Sequence, residues 1–76
     1  MKQIVLYSRP RCHLCDAARE ALTSAGFAFR EVDVDGEPAL AAEYGTTIPV
    51  VEVGGIPVFE GGMDPSGLAP AVLECL

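Results

Sequence analysis

An α/β domain of element order β-α-β-α-β-β-α, with a mixed four-stranded sheet flanked by helices, is predicted by three observations. An apolar run at Gln3–Tyr7, an amphipathic stretch from Cys12 and a second apolar run ending at Val34 form a strand, helix and strand in succession. The Gly54-Gly55 pair splits two further apolar runs in the pattern of a tight hairpin. Prolines that suit a first helical turn, Pro38 and Pro65, open the segments after the second and fourth strands. A strand-helix-strand unit crosses over right-handed and pairs its strands in parallel, whereas two strands joined by two residues run antiparallel, so the sheet is mixed. At 76 residues the chain is short enough to be one domain, residues 1–76.

Each element has its own signal. Gln3-Ile4-Val5-Leu6-Tyr7 is almost continuously apolar, as in a strand buried on both faces, and Pro10 stops its extension. From Cys12, the residues Cys15, Ala18, Leu22 and Ala25 recur every three or four positions, and Gly26 ends the helix after about thirteen residues. Phe27, Phe29 and Val32 place a second strand at roughly 28–33, and Asp35-Gly36 turns the chain. The stretch from Pro38 to Tyr44 is rich in good helix formers and stops at Gly45. Pro49–Val53 and Ile56–Phe59 are the hairpin strands; Pro57 has no N–H to donate, which makes the last of them an edge. Asp64 caps and Pro65 opens a final helix that runs to the C-terminus, with Pro70 inside it as a point of fraying or kinking.

Composition narrows the function. The net charge is −6, which argues against a nucleic-acid binder, because phosphate neutralisation needs clustered Lys and Arg. All five basic residues, Lys2, Arg9, Arg11, Arg19 and Arg30, lie in the first thirty positions, whereas nine of the eleven acids lie beyond Arg30. No apolar run approaches the ~18 residues of a membrane span, and the first residues already look like a strand rather than a signal peptide, so the cytoplasm is the expected location. An odd count of three cysteines makes no disulfide framework; two of them, Cys12 and Cys15, are three apart.

That pair sits where the first strand hands over to a helix. The first backbone N–H groups of a helix lack intrahelical partners and its dipole is positive there, so a thiolate at Cys12 is stabilised, and Arg9 and Arg11 act in the same direction. Cys15, one turn deeper, is shielded. An exposed thiolate attacks a substrate disulfide and the neighbouring thiol resolves the mixed disulfide, which makes Cys12 the nucleophile and Cys15 the resolving residue. Two other readings of the pair are small buried apolar residues and, with His13 and the distant Cys75, metal ligands; no metal is expected. Cys75, between Leu73 and Leu76, is expected to pack on a helix face, and Tyr7 to fill space under the loop that carries the cysteines.

Tyr7-Ser8-Arg9-Pro10-Arg11-Cys12-His13-Leu14-Cys15, Thr47-Ile48-Pro49 and Gly61-Gly62-Met63-Asp64, in that order and spacing over essentially the whole chain, resemble the glutaredoxin branch of the thioredoxin fold. The resemblance implies a thioredoxin-like fold, a cis Ile48-Pro49 bond that leaves the Ile48 backbone free to pair with an extended substrate, and glutathione as cosubstrate. It also implies a glutathione groove: Arg9 toward the glycyl carboxylate, Thr47 and Ile48 on the cysteinyl backbone, Pro49 beside the sulfurs, Gly62, Met63 and Asp64 at the γ-glutamyl end. His13 stands on the rim. Asp64 has the competing role of a plain N-cap. The sequence departs from the dithiol glutaredoxins in having His13-Leu14 where they carry Pro-Tyr, and it is also similar to small bacterial glutaredoxin-like proteins of undefined substrate.

The expected activity is thiol-disulfide oxidoreduction by a monomer, acting on glutathione mixed disulfides or disulfide-containing proteins. Three alternatives stay open: a dithiol protein reduced by a flavin-dependent reductase without glutathione, a redox-dependent binding module, and a dimeric iron-sulfur scaffold, which the presence of Cys15 disfavours.

Overall fold

The first strand, β1, runs over Ile4–Ser8, and the computed structural model of the chain describes residues 2–76. Its inward face is Ile4, Leu6 and Ser8, and its alternate residues Val5 and Tyr7 lie on the other side of the pleat. Helix α1, His13–Ser24, follows and buries Cys15, Ala18 and Leu22. It begins one residue later than the periodicity suggests: Cys12 has extended backbone and serves as the N-cap, its thiol replacing the usual hydroxyl or carboxylate. Gly26, with φ +81°, ends this segment as its lack of a Cβ allows.

Strand β2 is Arg30–Asp33, shorter than the expected 28–33, because Ala28 and Phe29 lie before the paired register, which starts at Val5 opposite Arg30. Val34 leaves the strand for a 3-10 turn, Val34–Gly36, and is fully buried there. Helix α2 is Pro38–Tyr44 with the proline in its first turn, as expected. Strands β3, Val50–Val53, and β4, Ile56–Phe59, form the hairpin around Gly54 and Gly55, both at positive φ. The last segment is two pieces rather than one helix: a 3-10 turn at Pro65–Gly67, then α3 at Leu68–Cys75. The break places Pro70 in the first turn of α3, where backbone N–H groups have no intrahelical acceptor, so the proline removes no helical bond.

The sheet order is β2-β1-β3-β4, with β1 parallel to β2 and antiparallel to β3, and β3 antiparallel to β4. Pro57 is therefore on an edge strand, and the register between β3 and β4 shifts at Val51/Glu52. One core joins Ile4, Leu6, Val51, Val53 and Phe59 of the sheet to Ala18 and Leu22 of α1 and Leu68 and Val72 of α3. Phe27, Phe29 and Cys75 pack against it from the edge. Each of these fully buried Leu or Val side chains contributes about 1.5–3 kcal/mol relative to exposure.

This topology gathers four loops at one end of the sheet. The C-terminal ends of β1, β2 and β4 and the N-terminal end of β3 all lie there, so segments 9–12, 34–37, 45–49 and 60–64 are neighbours.

Candidate active site

Two cysteines at the start of α1 occupy different environments. Cys15 has no exposed surface, whereas Cys12 is half-buried. The Cys15 main-chain N–H donates to the Cys12 Sγ at 3.2 Å, so the sulfur takes one of the donors that the first helical turn leaves unpaired. Burial pushes the Cys15 thiol up to about 11, reinforced by the side-chain hydrogen bond with Cys12; the Arg9 backbone and the Arg19 guanidinium act in the other direction without reversing it. At neutral pH Cys15 is therefore protonated.

The turn into Cys12 has a cost. Arg11 sits at φ +59°, a left-handed conformation that disfavours a residue with a Cβ by roughly 1–2 kcal/mol. Its side chain is exposed and makes no hydrogen bond or ion pair among the described residues. Arg9 is differently placed. Its Nε and Nη2 donate to the two carboxylate oxygens of Asp35 at 2.8 and 3.0 Å, and its Nη1 donates to the Gly45 carbonyl at 3.2 Å. Arg9 thus ties the cysteine loop to the 3-10 turn before α2 and to the C-cap of α2, and its charge acts on both thiols.

The Thr47-Ile48-Pro49 segment is held from below and above. The Tyr44 carbonyl accepts from the Thr47 N–H at 3.0 Å, the Ile48 N–H at 3.1 Å and the Thr47 hydroxyl at 3.3 Å. The Gly61 N–H donates to the Thr47 carbonyl at 2.9 Å. Gly61 lies so close that a Cβ there would overlap the Ile48 carbonyl oxygen. The Ile48-Pro49 bond is cis, as the resemblance implies, but the expectation of a free Ile48 backbone is corrected for its N–H, which is already committed to the turn after α2. Pro49 is fully buried.

Beyond Gly61, Gly62 and Met63 are exposed, and Met63 borders a recess of about 250 Å³ along Pro57–Glu60. Asp64 caps the turn that follows, its carboxylate accepting from the Ser66 N–H at 3.0 Å, which holds it below the usual carboxylate range. His13 and Leu14 are exposed at the start of α1. Among the described residues, no group of three or more His, Cys, Asp and Glu is arranged to hold a metal ion.

Two polar clusters that sequence reasoning missed flank these loops. Arg19 of α1 donates to both Glu31 oxygens at 2.8 and 2.6 Å and to Asp16 at 2.7 Å, and the buried Ser8 hydroxyl donates to Glu31 at 2.7 Å. The basic start and acidic remainder of the chain therefore meet in Arg9–Asp35 and Arg19–Glu31. Arg9, Arg19 and Glu31 line a recess of about 330 Å³ with Ser8, Pro10 and Asp33. On the other face, Glu52 accepts from the Tyr7 hydroxyl at 3.2 Å and the Tyr44 hydroxyl at 2.5 Å, and the two rings are 5.0 Å apart between centroids. Tyr7 packs its ring against Tyr44 of α2 and shares Glu52 with it.

A cysteine pair at the N-terminus of α1, beside a cis-proline loop on a β2-β1-β3-β4 sheet with helices on both sides, defines a thioredoxin-fold protein with a dithiol at its loop end. The Glutaredoxin-like domain family matches residues 3–71, and the chain belongs to that family. It is 35% identical over 69 residues to a Pseudomonas aeruginosa glutaredoxin, covering 84% of this chain and 80% of that protein. A structural-genomics target protein from X. campestris, XcR50, superposes with a TM-score of 0.81 at 35% identity over 96% of this chain and 99% of that one. The buckwheat glutaredoxin-glutathione complex shares the fold, with a TM-score of 0.70 at 22% identity over 97% of this chain and 79% of that one.

Proposed function

We propose that this protein is a dithiol oxidoreductase that reduces disulfides of proteins and mixed disulfides with glutathione. The observation that carries the reading is the asymmetry of the pair: a half-buried Cys12 sulfur at a helix N-terminus, backed by a buried, protonated Cys15 thiol.

In this mechanism the Cys12 thiolate attacks one sulfur of a substrate disulfide along its S–S axis. A Cys12–substrate S–S bond forms, the substrate S–S bond breaks, and the departing thiolate takes a proton. Cys15 then gives up its proton and attacks the Cys12 sulfur, releasing the second substrate thiol and leaving a Cys12–Cys15 disulfide. Two electrons pass from the dithiol to the substrate. Two glutathione molecules, oxidised to glutathione disulfide, restore the dithiol by the reverse exchange.

Kinship with glutaredoxins and a glutathione-bound structural relative support glutathione as cosubstrate. It would lie among His13, Thr47, Ile48, Pro49, Gly62, Met63 and Asp64, with Arg9 at the end of the groove. The cytoplasm, where such dithiols are kept reduced, is the proposed location.

The test is glutathione-dependent reduction of a small mixed disulfide, coupled to NADPH through glutathione reductase, with wild type, Cys12→Ser and Cys15→Ser. The expected result is loss of turnover in Cys12→Ser and partial retention in Cys15→Ser, where glutathione itself resolves the intermediate. An inactive wild type would overturn the glutathione reading.

A further inference from the structure

Resting on the reading of Cys12 as nucleophile, we propose that Asp35 is a specificity-determining residue. Its carboxylate occupies the Arg9 guanidinium beside the reactive thiols, so the site favours neutral and cationic disulfides over disulfides that carry carboxylates.

The Arg9–Asp35 contact is a parallel two-bond pair, the arrangement that a substrate carboxylate would itself adopt on a guanidinium. The chain holds Asp35 in place for it: the Asp35 N–H donates to the Asp33 carboxylate at 2.9 Å, which closes the turn after β2 and aims the Asp35 side chain back at the cysteine loop. The third Arg9 contact, to Gly45, leaves the guanidinium little freedom to turn toward a ligand. Arg19, the other cation in this recess, is committed to Glu31 and Asp16. Arg11, next to Cys12, is exposed and has no hydrogen-bond or ion-pair partner among the described residues. Asp33 and Asp64 add negative charge to the same end of the sheet. An anionic disulfide must therefore displace Asp35 from two charge-assisted bonds or rely on Arg11, whereas a cationic one meets no net positive charge from the pair.

The experiment measures single-turnover oxidation of the reduced protein by three disulfides: bis(2-hydroxyethyl) disulfide, cystamine and glutathione disulfide, which are neutral, cationic and anionic. In each case one protein dithiol becomes a disulfide and one probe disulfide becomes two thiols, so no further oxidant or reductant enters. Rates are normalised to the neutral probe. In Asp35→Asn the relative rate with glutathione disulfide should rise by about threefold to tenfold and that with cystamine should fall. The change should shrink in ~1 M salt, where the screening length is ~3 Å. The gain should vanish in Arg9→Gln/Asp35→Asn. An unchanged ratio in Asp35→Asn, or a gain that persists without Arg9, overturns the proposal.

A second readout does not depend on turnover. Titration with S-methylglutathione should shift the Arg9 Nε–H resonance in Asp35→Asn at concentrations that leave wild type unmoved, and equal shifts in both would count against Asp35. A wild type that reacts with none of the probes while the titration behaves as expected removes the oxidoreductase reading and leaves the charge-masking role of Asp35 standing. Asp35 is half exposed and among the described residues its carboxylate bonds only to Arg9, so the Asn variant keeps the turn geometry.

Discussion

Cys12 and Cys15 carry the same side chain and differ in their contact with water. The buried Cys15 thiol is pushed up to about 11 from an ordinary 9.0, so its neutral form stabilises the fold below pH 9 and that contribution is lost as pH rises through 11. Iodoacetamide at mildly alkaline pH should therefore alkylate Cys12 at least about tenfold faster than Cys15, with the Cys15 rate climbing as pH approaches 11; mass spectrometry of timed digests reads both. Equal rates would mean that Cys15 is not shielded. At Glu31 the sign is opposite. The Arg19 hydrogen bonds hold its carboxyl below the usual range, so stability is present above the ordinary 4.5 and is lost as pH falls through the lowered value. Arg19→Gln should cost about 1 kcal/mol near neutrality and flatten this acid limb, measured by urea unfolding across the range. The cysteine pair and its placement at a helix start were readable from residue spacing. The left-handed Arg11 was not, because nothing in the side chain of arginine signals positive φ; the surrounding loop imposes it.

The elements follow local chemistry where one segment decides its own shape. Gly26, Pro38 and the Gly54-Gly55 pair punctuate the chain where the sequence reading put them. The splitting of the last helix at Leu68 escaped that reading, because Asp64-Pro65 starts an α-helix and a 3-10 turn with the same residues. Packing against α1 and β4 accompanies the choice between them. Leu22, fully buried between α1 and the sheet, should cost about 2–5 kcal/mol as Leu22→Ala in denaturant unfolding. Gly61→Ala is a sharper test of the site. Its Cβ would overlap the Ile48 carbonyl and push the 60–64 loop from the cis-proline loop, so Gly61→Ala should lower turnover of a small mixed disulfide more than it lowers stability. Retained turnover with equal stability would show that the two loops need not touch.

Across the whole molecule, titrating groups on both faces of the sheet define an alkaline limit. Tyr7 is raised chiefly by burial and Tyr44 chiefly by its hydrogen bond to Glu52, so both phenols stabilise the fold below their ordinary 10.0 and cease to do so as pH rises through their higher values. The melting temperature should fall from pH 9 upward as Cys15 ionises, and further above pH 10 as the tyrosines do. Glu52→Gln should cost about 1 kcal/mol and remove much of the second phase, leaving the first. An alkaline profile identical to wild type would show that Glu52 does not hold Tyr44. Element order, helix periodicity, the hairpin and the dithiol motif were legible in the residues, because each depends on neighbours a few positions away, and Pro57 marked its strand as an edge because it has no N–H to donate; the strand order β2-β1-β3-β4 came only with the structure. The pairing of Arg9 with Asp35, of Arg19 with Glu31 and of two tyrosines with Glu52 was not, since sequence separations of 26, 12, 45 and 8 residues become contacts only after the sheet has closed. The commitment of the Ile48 N–H to Tyr44 belongs with them: a backbone donor looks free until the turn that satisfies it has formed. Composition and spacing placed the paired sulfurs at a helix start, and the closed fold determined which charges face them.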